Sequence, residues 1–87
     1  MLVRVRGRVQ GVNYRYWTRR LAQGLGLTGW VRNEPDGSVR ALIVGNGDAV
    51  SEMTTAMWKG PPAASVSEVE TQRADIDVPP DRFDITG

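Results

Sequence analysis

The chain predicts an α+β sandwich: two helices on one face of a four-stranded antiparallel sheet, plus a short C-terminal edge strand. Three observations carry that expectation. Apolar residues alternate with polar ones in roughly period-two order at 3–9, with further strand-like runs at 28–33 and 39–44. They recur at helical spacing from Tyr14 and again from Val50. Glycine and proline fall between these segments, so the order is β-α-β-β-α-β.

Each element has its own signal. In residues 3–9, Val3, Val5 and Val9 are set against Arg4, Arg6 and Arg8. Gly7 interrupts that strand and marks a bulge or a close backbone approach. Gln10-Gly11-Val12-Asn13 reads as a loop. Tyr14, Trp17, Leu21 and Leu25 then form one helical stripe, with Arg15, Arg19 and Arg20 off it. Gly24 or Gly26 ends the helix. Residues 28–33 and 39–44 form a hairpin across the turn Glu34-Pro35-Asp36-Gly37. Asp48 caps or charges the start of a second helix, about 48–59. Val50, Met53 and Met57 make its apolar stripe, and Gly60-Pro61-Pro62 stops it. A fourth strand spans about 64–72, where the odd spacing of Val66 and Val69 suggests a bulge. Arg82-Phe83-Asp84-Ile85 alternates as the short terminal strand.

Two β-α-β units with right-handed crossovers give the ferredoxin-like sandwich. Its geometry joins distant positions. The first helix runs back about 16 Å, and the second strand returns about 20 Å parallel to the first. Asn33, ending that strand, thus comes level with Arg15 at the helix start. A helix N-terminus, a glycine-bearing loop, an arginine and an amide belong at one end of the sandwich.

Composition narrows the chemistry. Residues 1–87 make a single domain, 40% hydrophobic and 24% charged. No stretch approaches the roughly 18 apolar residues of a membrane span, and the alternating N-terminus has no apolar signal core. The expected location is cytoplasmic, without a membrane partner. There is no cysteine and no histidine. Disulfides, thiol catalysis, Ser-His-Asp relays, phosphohistidine and ordinary transition-metal sites are therefore excluded. No carboxylate pair is placed for acid/base work or for magnesium. Net charge is only +1, but it is unevenly spread. Residues 1–40 carry eight arginines against Glu34 and Asp36, or +6; residues 41–87 carry three basic residues against eight acids, or −5. An anion belongs in the basic half, although Arg4, Arg6 and Arg8 fit a plain solvated strand face.

The strongest motif is Gly7-Arg8-Val9-Gln10-Gly11-Val12-Asn13-Tyr14-Arg15. A strand-loop-helix junction presents unpaired N–H groups at the positive end of a helix dipole. Gly11 allows the backbone to wrap an oxyanion, and Arg15 can fork onto phosphate oxygens. The competing reading is a β-α turn with a solvated arginine. Gly24-Leu25-Gly26-Leu27-Thr28-Gly29 spells a dinucleotide fingerprint, but it follows a helix and opens a strand, the reverse of the required context. Tyr14, Tyr16 and Trp17 among arginines suggest nucleic-acid stacking. Tyr14 and Trp17 lie on the core stripe, however, and the open sheet face is expected to show mainly arginines with Leu or Val. Nucleic acid is not expected as a partner.

Three blocks resemble the acylphosphatases: Gly7-Arg8-Val9-Gln10-Gly11-Val12-x-Tyr14-Arg15, Gly29-Trp30-Val31-Arg32-Asn33-x-x-Asp36-Gly37-x-Val39 and Gly60-Pro61-Pro62-Ala63-x-x-Val66. The resemblance covers about residues 3–85. It implies hydrolysis of carboxyl-phosphate anhydrides to a carboxylate and orthophosphate, with no metal or other cofactor. It implies Arg15 as the phosphate-binding arginine and Asn33 as the residue that orients the attacking water. It implies a phosphate cradle from the backbone of Gln10, Gly11, Val12, Asn13 and Tyr14. Asn13-Tyr14 departs from the aromatic pair, or small residue then Phe, of many members. A small acyl phosphate is the expected substrate, with inorganic phosphate as product and inhibitor, and a monomer is the expected state. The alternatives are a non-catalytic phosphate- or nucleic-acid-binding module on the same fold, and a regulatory domain that binds an acyl phosphate without turnover. The paired Arg15 and Asn33 speak against the latter.

Overall fold

The computed structural model describes residues Met1–Gly87. Strands β1 (Leu2–Arg8), β2 (Thr28–Asn33), β3 (Val39–Val44), β4 (Ser65–Gln72) and β5 (Phe83–Ile85) form one sheet in the order β4-β1-β3-β2-β5. Helices α1 (Tyr14–Gly24) and α2 (Gly47–Lys59) complete the expected β-α-β-β-α-β order. The first four strands pair antiparallel, whereas β5 runs parallel to β2 at the edge, so the five-stranded sheet is mixed.

Alternation decides the faces. Val3 and Val5 of β1, Val31 of β2 and Val39, Ala41 and Ile43 of β3 are buried beneath the helices. Met53 and Met57 of α2 cover them. Each buried Val, Ile or Met side chain contributes about 1.5–3 kcal/mol of apolar burial, the Ala41 methyl less. No helix is long and apolar enough to cross a membrane.

The expected bulge lies between β1 and β4. Arg6 faces Glu68 while Gly7 faces Val66, which leaves Ser67 as the extra residue. This explains both the odd spacing of Val66 and Val69 and the glycine opposite. Gly7 has φ 126°, and a Cβ there would collide with the Ser65 carbonyl oxygen.

Two sequence expectations need correction. The buried face of α1 is Tyr14, Thr18 and Ala22, while Trp17, Leu21 and Leu25 are only partly buried along its flank. After Tyr14 the helix buries the small residues Thr18 and Ala22, and the larger Trp17, Leu21 and Leu25 flank them. In α2 the cap is Asn46, whose Oδ1 accepts from the Asp48 N–H at 2.8 Å. Asp48 stands within the first turn and complements the dipole there, and Lys59 does so in the last turn.

Candidate active site

Residues 9–13 lead from β1 into α1 through two left-handed positions. Gly11 has φ 74°, and Asn13, at the N-cap, has φ 69°. Asparagine is one of the few side chains that tolerates that region. The Asn13 side chain makes no capping bond, and no acid stands in the first turn. The first backbone bond of the helix runs from Trp17 N–H to Asn13 O at 3.1 Å. The N–H groups from Gly11 to Tyr16 donate to no backbone acceptor. They form a concentrated row of free donors at the positive end of the helix.

Around them is a cleft of about 180 Å³ lined by Val9, Gly11, Asn13, Tyr14, Arg15, Tyr16 and Asn33. The structure therefore brings Arg15 and Asn33 to one cleft, as the topology requires. Gly11, Asn13 and Tyr14 line it as well. Gln10 and Val12 do not: Val12 packs against the core, and the Gln10 side chain reaches away to Glu34 and Ser38. A wider depression of about 660 Å³ lies at the other pole, near Met1, Val50 and Arg73, away from these donors.

Each lining side chain has a distinct setting. Arg15 donates through Nη1 to the Gly87 carbonyl oxygen at 2.8 Å, and its guanidinium has further N–H groups. Asn33 ends β2, with its backbone paired to Val39. Its Oδ1 is buried with no hydrogen-bond partner. A buried acceptor of this kind needs a donor, which a water molecule can supply. Tyr14 is almost wholly buried and donates its hydroxyl to Met57 O at 2.7 Å. Burial pushes the Tyr14 hydroxyl well above its ordinary pKa, so it remains a neutral donor. That bond satisfies a carbonyl in the last turn of α2 and ties it to the start of α1. The Tyr14 and Trp17 rings pack at 5.3 Å.

The turn after Asn33 is held by its own groups. Asp36 Oδ1 accepts from the Ser38 hydroxyl at 2.6 Å and from its N–H at 2.9 Å. These bonds, the hydroxyl's first, hold the Asp36 carboxyl below its ordinary pKa, with help from Arg4 and Arg6. No group of His, Cys, Asp and Glu side chains converges to hold a metal ion.

The open sheet face carries more than the expected arginines with Leu or Val: Glu70 and Gln72 stand opposite Arg4 and Leu2. Trp30 lies on the same face, opposite Leu42, while Arg32 covers its ring at 4.6 Å and pairs with Glu34. Sequence reasoning passed over Trp30 because it was counted within a strand and given no face. It also missed the Gln10 side chain and Thr18, whose Oγ1 is buried without a partner.

Comparison with known proteins gives this cleft its setting. The family model described as Acylphosphatase matches residues 1–85. An acylphosphatase of Rhizobium meliloti (strain 1021) is 58% identical over 85 residues, covering 98% of this chain and 90% of that one. Among solved structures, the acylphosphatase from Bacillus subtilis superposes with a TM-score of 0.90 at 34% identity, covering all of both chains. The acylphosphatase from Coxiella burnetii gives 0.89 at 37% identity, covering 98% of this chain and 88% of that one. The first two blocks that resembled this family supply residues that wall the cleft, and the third reaches the sheet through Val66, which pairs with Gly7. On fold, on sequence and over nearly its whole length, the chain belongs to the acylphosphatase family.

Proposed function

We propose that the cleft at the start of α1 is where this enzyme hydrolyses an acyl phosphate. One observation carries the assignment: Gly11, Asn13, Tyr14, Arg15 and Tyr16, whose N–H groups are free of backbone partners, line a single cleft with Asn33. The phosphoryl group sits on the N–H row and the Arg15 fork, which meet its charge with donors already in place. Asn33 Oδ1 accepts a hydrogen from the attacking water and holds it in line with phosphorus. The water oxygen bonds to phosphorus and the bond from phosphorus to the acyl oxygen breaks. The electron pair leaves with the carboxylate, and a water proton passes to a phosphoryl oxygen. The carboxylate is a stable anion at neutral pH, so no general acid is required. The transition state is loose, with charge spread over the phosphoryl oxygens, so positioning and electrostatics suffice.

The same reading covers the remaining expectations. The substrate is a small acyl phosphate, the enzyme acts as a monomer in the cytoplasm, and no metal or other cofactor takes part. Orthophosphate returns to the N–H row as a competitive inhibitor. Nucleic acid is not a partner, because Arg32 covers the Trp30 ring and Arg6 is paired with Glu70 and Asp36. The test is phosphate release from benzoyl phosphate. Turnover is expected to persist in excess EDTA, with inorganic phosphate competitive. Loss of turnover restored by magnesium, or purely noncompetitive inhibition, overturns the reading.

A further inference from the structure

The Gln10 side chain makes an unusual connection. Its Nε2 donates to Glu34 O at 2.8 Å and to Ser38 O at 2.9 Å. These carbonyls bracket the turn that immediately follows Asn33. Each already accepts one backbone bond: Ser38 O from Glu34 N–H at 2.9 Å, and Glu34 O from Gly37 N–H at 3.1 Å. The amide of Gln10 therefore completes a closed set in which both oxygens take two donors. It joins the loop leading into α1 to the turn that fixes the end of β2. The other side-chain bond from β1 to this turn is Arg6 to Asp36, at 3.5 Å with both side chains near half exposed. An exposed pair of that length holds little.

We propose that Gln10 is a positioning residue for the attacking water. Resting on the function proposed above, it sets the spacing between the segment that holds phosphate and the segment that holds Asn33. The phosphoryl group is bound by the loop and Arg15, and the water by Asn33. In-line attack depends on the offset between the two, and a misplacement of about 1 Å can cost about 100-fold. Gln10 bonds to neither reactant and acts through Asn33. Its loss therefore lowers turnover while leaving phosphate binding nearly intact, and the loss depends on Asn33 being present.

The experiment is a double-mutant cycle on the intact chain with benzoyl phosphate, alongside thermal melts. Gln10→Met keeps the length of the side chain and removes its donors. Gln10→Asn keeps the amide but is a methylene too short to reach both carbonyls. Either is expected to lower kcat about 10- to 30-fold with less than about a threefold change in the phosphate inhibition constant. In an Asn33→Ala background the same substitution is expected to change kcat by less than about twofold, because coupled residues are not additive. An equal loss in both backgrounds overturns the proposal, as does phosphate affinity falling in step with kcat. If both variants are unfolded, Gln10 is a fold-holding residue and the proposal fails. Near-normal turnover in Arg15→Ala and Asn33→Ala, with Gln10 in place, is a different failure: it removes the proposed site itself.

Discussion

The two helices begin in opposite ways. Helix α2 starts as most helices do, with Asn46 capping the Asp48 N–H and an acid in the first turn. Helix α1 starts with a left-handed Asn13 that caps nothing, no acid, and a row of free donors. A cap contributes about 1 kcal/mol, so α1 gives up stability that α2 keeps. The difference shows what an anion site requires. Donors that the protein satisfies internally are lost to a ligand, whereas donors left free can meet a phosphoryl group.

Substitutions can break or sharpen this contrast. The largest effect is expected at Arg15, whose charge supplements the free donors. Arg15→Ala abolishes turnover and weakens phosphate binding, since each charge-assisted bond lost is worth about 1.5–3 kcal/mol. Arg15→Lys does not restore it, because a point charge does not replace the planar fork. Calorimetric titration with phosphate, beside benzoyl phosphate kinetics, reads both effects. Asn33→Ala comes next, with kcat falling about 10²–10³-fold and phosphate affinity little changed. Loss of phosphate binding as severe as that of Arg15→Ala would contradict the separate roles.

The third change gives α1 the charge that α2 carries. Asn13→Asp places a carboxylate at the helix start, where it opposes a bound anion. The phosphate inhibition constant is expected to rise roughly fivefold, about 1 kcal/mol, while the melting temperature holds or increases. An unchanged constant would mean that the helix terminus is not where phosphate sits. The reciprocal change is Asn46→Ala in α2, which is expected to cost about 1 kcal/mol of stability in denaturant melts with kcat unaltered. The smallest effect concerns Asp36. Its carboxyl is depressed in the folded state by Ser38, with Arg4 and Arg6 adding to the effect. Its contribution is therefore present above the unfolded value of about 3.9 and is lost as pH falls through the folded value. Asp36→Asn should give a flatter loss of melting temperature below about pH 4. An acid limb identical to that of the parent chain would remove this carboxylate from the account.

Much of this was legible in the sequence, for identifiable reasons. Alternation located Val3 and Val5, because a half-buried strand must alternate. The right-handed crossover alone brings Arg15 level with Asn33. The face of α1 is only partly legible, because Tyr14 on its apolar stripe is buried while Trp17, Leu21 and Leu25 flank the contact. Close approach to the sheet favours Thr18 and Ala22 instead. Asp48 charges the first turn of α2, one of the two roles its position suggests, whereas the cap is Asn46, whose side chain turns back to the Asp48 N–H. The reach of Gln10 left no trace in the pattern. Its partners are backbone carbonyls, which every residue has, and only the folded chain shows which ones lie near.

Strand β1 leads directly into the loop proposed to hold phosphate, and neither of its partners is a sequence neighbour. Leu2 pairs with Leu42 on one side and with Gln72 on the other. The entropy of closing both long loops must be met before either pairing returns any stabilisation. A chain that has formed its helices and the β2–β3 hairpin still has no anchored cradle. Recovery of activity during refolding is therefore tied to the last long-range closure, and no shorter fragment holding the loop and its arginine can stand in for the whole sheet.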